Sequence, residues 1–362
     1  MKTKVVGLIF GGPSTEHEIS ILSAKNIYEV LKEDYTVYPI YIDRKRNFFL
    51  LENFEHFPTN LKELESIHRR ELYLSFKKPN FFYWDSLQNL KTIEIDILFP
   101  ITHGTLGEDG SLQGLMKFLD IPFVGCDVLS SALCMDKEAM KQILKSNHIP
   151  VVPFKSYTIY ERENISLDAI INELGLPVFV KPARQGSSVG VRKASSVEEI
   201  QNAISYAFRF DTKILIEKAI HGREIECSVL GNFHVRVSIP GEVRPNHEFY
   251  SYEAKYLDPQ GADLFIPAEN LTKQEIQRIQ EIALSTYKAL YCEGFARVDM
   301  FYADGEIYVN EVNTLPGFTN ISMYPKLWEY EGMSQKELLK TLIELTEEKA
   351  NLQRNLITTY KV

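Results

Sequence analysis

Apolar and polar positions divide the chain into three stretches of different rhythm. In the first, residues 5–10, 37–42 and 95–99 are short apolar runs of strand length, and residues 19–31 carry apolar side chains at helical spacing. Strands alternating with helices predict an α/β unit with a parallel sheet over residues 1–125. Residues 45–90 are aromatic and poorly periodic, and no element is assigned there. Residues 126–148 read as helical until Pro150 and Pro153 break the pattern. Residues 154–216 hold strands at 178–181 and 214–217, with helices near 167–174 and 197–207. Residues 217–362 form a larger α+β unit ending in an amphipathic helix from about Ser334 to Glu348, followed by a charged tail that frays. These shifts place domains at 1–125, 126–216 and 217–362, as expected of a 362-residue chain.

The pattern carries one local contradiction. The segment Arg297-Val-Asp299-Met-Phe-Tyr-Ala-Asp-Gly305-Glu-Ile-Tyr-Val-Asn-Glu311-Val-Asn313 reads as two buried strands around a turn, yet it holds carboxylates among its apolar positions. Side chains alternate faces along a strand, so Arg297 shares a face with Asp299, and Glu311 with Asn313. A two-residue turn at Asp304-Gly305 sets Asp299 and Glu311 on opposite faces. A three-residue turn, Ala303-Asp304-Gly305, brings all four polar side chains together, with Gly305 supplying the left-handed residue. The three-residue turn is therefore predicted. Converged, Asp299, Glu311 and Asn313 offer the oxygen donors that suit Mg²⁺ alongside phosphate. The plain alternative is a solvated hairpin.

Composition narrows the partners. A formal net charge of −9 and the lack of a basic block argue against nucleic acid and anionic membrane surfaces. The longest apolar runs are strand-sized, so no membrane-spanning helix is predicted. The N-terminus enters a first strand, with no signal-peptide pattern. Cys126, Cys134, Cys227 and Cys292 form no CxxC pair and fit neither a zinc site nor a disulfide framework, which favours a reducing, cytoplasmic setting.

Further motifs can carry chemistry. Lys181-Pro-Ala-Arg-Gln-Gly186-Ser187-Ser188-Val-Gly190 links two β-runs through small residues whose N–H groups can approach phosphate, and Lys181 can supply a point charge. It is neither a Walker loop nor a Rossmann fingerprint, and an ordinary hairpin remains open. Residues 103–114, His-Gly-Thr-Leu-Gly-Glu-Asp-Gly-Ser-Leu-Gln-Gly, follow a strand where α/β sheets bind ligands. Residues 11–18, Gly-Gly-Pro-Ser-Thr-Glu-His-Glu, do the same, although a simple helix start explains them equally well. Residues 250–256 lie in an aromatic, turn-rich loop with the character of a lid or a packed surface loop. Residues 316–323 follow the acidic hairpin and can meet a small ligand through backbone N–H groups.

Together these segments resemble the D-alanine–D-alanine ligases of the ATP-grasp superfamily. The matching motifs are HGTLGEDGSLQG, FARVDMFYADGEIYVNEVNTLPG, GGPSTEHEIS, CMDK, VKPARQGSSVG and YEAKY, in family order over residues 4–345. The resemblance implies a three-domain ATP-grasp fold and ATP-dependent joining of two D-alanines for peptidoglycan precursor synthesis, through an acyl phosphate. It also implies two Mg²⁺ (or Mn²⁺) and a cytoplasmic homodimer. Lys137 and Lys181 look like the phosphate lysines. Glu217, Lys218, Ala219 and Ile220 look like the adenine-edge segment, and Glu224 resembles the ribose-binding acid. Asp299, Glu311 and Asn313 match metal ligands. Glu16, Ser187 and Tyr256 match a hydrogen-bonded set over the site, with Glu16 also placed for the first ammonium. His103 is similar to a first-substrate contact, Lys255 to a lid residue reaching phosphate, and Arg297 with the Gly317 N–H to an oxyanion site. Ser322 and Met323 match the second-substrate pocket, where Leu is common in place of Met; Cys126 stands where Ser is common. Depsipeptide-forming relatives carry a different, often basic, lid residue at the Tyr256 position, so a neutral Tyr256 implies an amine acceptor. The alternatives are another ATP-grasp carboxylate–amine ligase, a D-alanine–D-hydroxy-acid or D-serine ligase, and a non-catalytic ATP-binding regulatory module. The last predicts damage at Asp299, Glu311, Asn313 or Arg297, and all four are intact.

Overall fold

Parallel strands need a crossover element between them, and the helix His17–Leu31 supplies it between β1 (Val5–Gly11) and β2 (Thr36–Ile42). The structure is a computed structural model that describes residues 4–246 and 261–357. In its first sheet β1 lies between β2 and β7 (Ile97–Pro100), parallel to both. The unassigned stretch proves to be β3 (Phe48–Leu51), β4 (Arg69–Leu74), β5 (Phe81–Trp84) and β6 (Leu90–Ile93), an antiparallel meander that extends the sheet outward. The order is β6-β5-β4-β3-β2-β1-β7, so the sheet is only partly parallel. Rings replace the usual apolar–polar alternation there. Tyr73 lies 5.6 Å from Phe82 and 5.0 Å from Trp84 between centroids, which hides the period-2 signal.

A second sheet holds β8 (Phe154–Thr158), β9 (Val178–Pro182), β10 (Arg192–Ala194) and β11 (Lys213–Lys218) in the order β10-β9-β11-β8, all antiparallel. Ile170 and Ile200, from the helices Leu167–Leu174 and Val197–Ala207, pack with Val180 and Ile216 of this sheet in one apolar cluster. A third sheet contains β12 (Arg223–Leu230), β13 (Arg236–Val237), β14 (Gly241–Pro245), β15 (Ala262–Phe265), β16 (Phe295–Ala303) and β17 (Glu306–Asn313). Its order is β15-β14-β12-β16-β17, with β13 on β12.

Residues 126–148 are two helices, Val128–Met135 and Lys137–Ser146, divided at Asp136. Asp136 Oδ1 accepts from the Ala139 N–H at 3.1 Å and so starts the second helix. Cys134, Met140 and Leu144 on these helices join the apolar cluster of the third sheet, with Ile225, Val298 and Val309. The final helix, Gln335–Arg354, does not stop near Glu348, as the charged sequence had indicated. The Lys349 ammonium donates to Gly125 O at 3.1 Å, which ties that turn down and keeps it helical. The same helix sets Leu338, Leu339, Leu342 and Ile343 against Ile21, Ala24, Ile27 and Leu31 of the first helix. The C-terminal end of the chain thus completes the N-terminal core.

That closure has a measurable cost. Leu338 is fully buried, and Leu338→Ala should lower unfolding stability by about 2–5 kcal/mol. Urea denaturation followed by circular dichroism checks this; a surface-like loss below about 0.5 kcal/mol would contradict the packing.

Candidate active site

The acidic hairpin is formed by β16 and β17, and its turn is Asp304-Gly305 alone, because Ala303 pairs with Glu306. The three-residue turn expected from the sequence is absent. Asp304 and Gly305 have φ of 51° and 80°, the left-handed pair of a tight turn whose twist matches the strands. That turn by itself would set Asp299 and Glu311 on opposite faces. A β-bulge reverses this: Met300 pairs with Val309 but Asp299 pairs with Glu311, leaving Asn310 as the extra residue. Arg297, paired with Asn313, then shares the cleft face with both acids.

This face forms one wall of a cleft of about 1210 Å³. Every residue of the sequence-derived set within the described residues lines it: Glu16, His103, Lys137, Lys181, Ser187, Glu217, Lys218, Ala219, Ile220, Glu224, Arg297, Asp299, Glu311, Asn313, Gly317, Ser322 and Met323. Lys255 and Tyr256 lie outside the described residues.

Buried charge is balanced inside the cleft. Arg297 donates from Nε and Nη2 to the two oxygens of Asp299, each at 2.7 Å, and its Nε lies 3.0 Å from Glu226. Burial alone would lower the Arg297 pKa, but Asp299 and Glu226 outweigh it and hold the guanidinium firmly charged. Asn313 Nδ2 donates to Asp299 Oδ2 at 2.9 Å. Lys137 Nζ donates to Gln185 O at 2.8 Å and stands 3.3 Å from Glu311. Lys181 Nζ lies 2.7 Å from Glu217 and 3.3 Å from the bulge residue Asn310. Among the described residues no cluster of three His, Cys, Asp or Glu side chains suited to a metal occurs. Asp299, Glu311 and Asn313 instead give two carboxylates and an amide, a hard oxygen set that fits Mg²⁺ with phosphate completing its shell.

The opposite wall is built from loops. Glu16 accepts a hydrogen bond from Ser187 Oγ. A Cβ on either Gly104 or Gly186 would sit 2.9 Å from Glu16 Oε2, so both glycines let their loops close on this acid. His103 lies with both ring nitrogens engaged. Nδ1 is 3.0 Å from Leu315 O and must donate, so Nε2 accepts from Ser23 Oγ at 3.2 Å. Ser23 Oγ also accepts from the Phe318 N–H at 3.2 Å. Burial depresses the His103 pKa, which suits this neutral tautomer. Glu108 accepts from the N–H groups of Gly104 at 2.6 Å and Leu315 at 3.3 Å. Ser322 Oγ accepts from the Thr319 N–H at 2.9 Å. The N–H groups of Leu315, Phe318 and Thr319 are thereby used, while that of Gly317 meets no acceptor among the described residues. A Cβ on Gly317 would lie 2.7 Å from Ser322 Oγ, so a larger residue there would have to displace that hydroxyl.

The sequence reading missed Ser23, Glu226 and Asn310 as parts of the site, and took Glu108 only as one of the acids in the 103–114 loop. Glu226 carried a usable signal: Glu224, Glu226 and Ser228 alternate along β12, and Glu226 lies in register with Asp299. Asn310 had none, because only the bulge turns it toward Lys181.

Two antiparallel sheets gripping a cleft, Lys181 on one and an acidic hairpin on the other, define the ATP-grasp class of carboxylate ligases. The family profile described as D-ala D-ala ligase N-terminus matches residues 5–126, and that described as D-ala D-ala ligase C-terminus matches residues 143–344. The chain belongs to the D-alanine–D-alanine ligase family. It is 49% identical over 354 residues to the D-alanine–D-alanine ligase of Oceanobacillus iheyensis, covering 96% of each chain. It is 41% identical over 370 residues to D-alanine–D-alanine ligase A of Escherichia coli K12, covering 98% of each. Among solved structures, the D-alanine–D-alanine ligase of Coxiella burnetii superposes with a TM-score of 0.83 at 35% identity, covering 97% of each chain. The VanG D-Ala:D-Ser ligase of Enterococcus faecalis superposes with a TM-score of 0.86 at 36% identity, covering 95% of this chain and all of that one.

Burial, with Glu16 adding to it, pushes the Glu108 carboxyl up to about 8. A folded-state pKa above the unfolded value of about 4.3 contributes stability below the lower value and loses it as pH rises through the higher one. Urea unfolding of the parent should therefore show stability falling between those limits, and Glu108→Gln should flatten that part of the curve. An unchanged slope would contradict a protonated Glu108.

Proposed function

We infer that this protein joins two D-alanines into D-alanyl-D-alanine with ATP, releasing ADP and phosphate, and so supplies a peptidoglycan precursor. The observation that carries the reading is the hairpin face, where Arg297, Asp299, Glu311 and Asn313 stand together on the cleft wall with Lys137 3.3 Å from Glu311. A carboxylate resists attack by an amine because its oxide leaves poorly. Transfer of the γ-phosphoryl group to a carboxylate oxygen of the first D-alanine gives an acyl phosphate and ADP. The amine of the second D-alanine then attacks the carbonyl carbon and loses a proton. Phosphate leaves with the former carboxylate oxygen.

The chain's residues divide this work. Lys137 and Lys181 are assigned to phosphate oxygens and can turn to them from Glu311 and Glu217. The segment Glu217, Lys218, Ala219 and Ile220, crossing between the second and third sheets, is assigned to the adenine edge, and Glu224 to the ribose. Glu16, fixed by Ser187, is assigned to the first ammonium. His103, on the cleft wall, is assigned to the first D-alanine, with its ring held by Leu315 O and Ser23 Oγ. The Gly317 N–H and Arg297 are aimed at the oxyanion of the tetrahedral intermediate. Ser322 and Met323 are assigned to the second D-alanine. Asp299, Glu311 and Asn313 would hold two Mg²⁺, which when bound offset phosphate charge.

Three finer readings accompany this one. The chain works as three units, 1–125, 126–216 and 217–362, with residues 126–149 packed into the third. A homodimer rests on the family resemblance. A cytoplasmic location is supported by four unpaired, buried cysteines; among the described residues no helix is long and apolar enough to cross a membrane.

Phosphate release should require ATP, Mg²⁺ and D-alanine together and stop with excess EDTA. Release without D-alanine would reject the reading. Arg297→Met should cost about 10²–10³ in kcat. Mass spectrometry with D-alanine, D-serine and D-lactate in competition at neutral pH should give mainly D-alanyl-D-alanine. Dominant D-alanyl-D-serine would favour the activity named for the Enterococcus faecalis structure, and dominant depsipeptide would contradict an amine acceptor.

A further inference from the structure

Lys141 is fully buried and is not among the residues lining the cleft. It lies one helical turn after Lys137, on the same side of the helix Lys137–Ser146. Its ammonium is 3.1 Å from Glu217 Oε1, while Lys181 takes Glu217 Oε2 at 2.7 Å. The ring of Phe154, in register with Glu217 on the neighbouring strand, lies 5.9 Å from the Lys141 ammonium. Glu217 is itself only 4% exposed, so the carboxylate and both of its cations are shielded from water. Nothing else in the site accounts for a lysine held behind the nucleotide-facing acid.

We propose that Lys141 is a positioning residue for ATP: it neutralises Glu217, so that the positive charge of Lys181 is left over for the triphosphate. Two ammonium groups around one carboxylate leave a single net positive charge at this wall of the cleft. Without Lys141 the carboxylate cancels Lys181 and the wall is neutral. Without both Lys141 and the Glu217 charge, the single positive charge returns. This rests on the assignment of Lys181 to phosphate.

The ion energetics agree. Burial pulls Lys141 down to about 8, against the pull of Glu217 upward and with Lys181 and Lys137 adding to the lowering. Burial pushes Glu217 up, but Lys141 and Lys181 outweigh it and keep the carboxyl below its usual range. The acid therefore stays ionised and needs both cations, because an uncompensated charge in a low-dielectric site is costly.

A four-protein cycle on the full chain tests this: parent, Lys141→Met, Glu217→Gln and the double variant. ATP affinity is read by calorimetry with ATP and Mg²⁺, alongside KM values for ATP and D-alanine and thermal melting. Lys141→Met should weaken ATP binding at least about 10-fold in the parent background, with D-alanine KM values within about twofold. In the Glu217→Gln background the same substitution should change ATP affinity by no more than about threefold, because the buried Lys141, without the acid that holds its proton, is neutral there and Lys181 already supplies the single positive charge. An equal loss in both backgrounds, or no loss in the parent, would overturn the proposal. Should Lys141→Met alone fail to fold, Lys141→Gln takes its place in the same cycle, with the same loss expected in the parent background and the same outcomes overturning the proposal. Lys181→Met is the separate control. Unchanged ATP affinity there would remove the assignment of Lys181 on which the proposal rests, whatever the Lys141 cycle gives.

Discussion

The two-pronged grip of Arg297 on Asp299 is the interaction on which the rest of the site depends. Both atoms pairs lie at 2.7 Å, across a strand position that is largely buried. An ionised carboxylate at such depth is tolerated only with a cation and hydrogen bonds around it. The same rule recurs at Glu311 with Lys137 and at Glu217 with Lys141 and Lys181. The cleft can therefore exist as a dense cluster of opposite charges. Nucleotide and metal would enter by exchange of partners, the lysines turning to phosphate and the acids to the cation. Such exchange keeps each buried charge compensated throughout.

The opposite wall obeys a different constraint. Its backbone donors are satisfied one by one: Leu315 by Glu108, Phe318 by Ser23, Thr319 by Ser322. His103 and Ser23 brace that loop from the first helix and the 103–110 loop, so its geometry is set before substrate arrives. Gly317 lies on the cleft wall, and its N–H meets no acceptor among the described residues. A donor held in place without an acceptor is what transition-state stabilisation requires, since no reorganisation accompanies the appearance of negative charge.

Much of this was legible in the chain. The strands β1, β2, β9 and β11 show as short apolar runs because most of their residues are buried on both faces, and the first helix shows as apolar residues at helical spacing. The aromatic meander β3–β6 was not, since stacked rings on short strands blur the alternation. The last turns of the final helix were not, because their order comes from Lys349 reaching Gly125 O, a partner 224 residues away. Lys141 was missed for a related reason: a lone lysine on an amphipathic helix carries no mark of the acid that will bury it.

The acidic hairpin separates the two sources of information most clearly. Sequence by itself determined that Arg297, Asp299, Glu311 and Asn313 belong to adjacent strands and that a turn through Gly305 joins them, since side-chain alternation and the glycine's backbone freedom are local properties. Tertiary structure decided how they converge. The tight turn fits the twist of the strands, and the one-residue correction that puts both acids on the cleft side is made at Asn310. A bulge of that kind is settled by what the strand meets on both sides, Val309 against the apolar core beneath and Asn310 against Lys181 across the cleft. Residues far apart in the chain make that choice, and no local pattern records it.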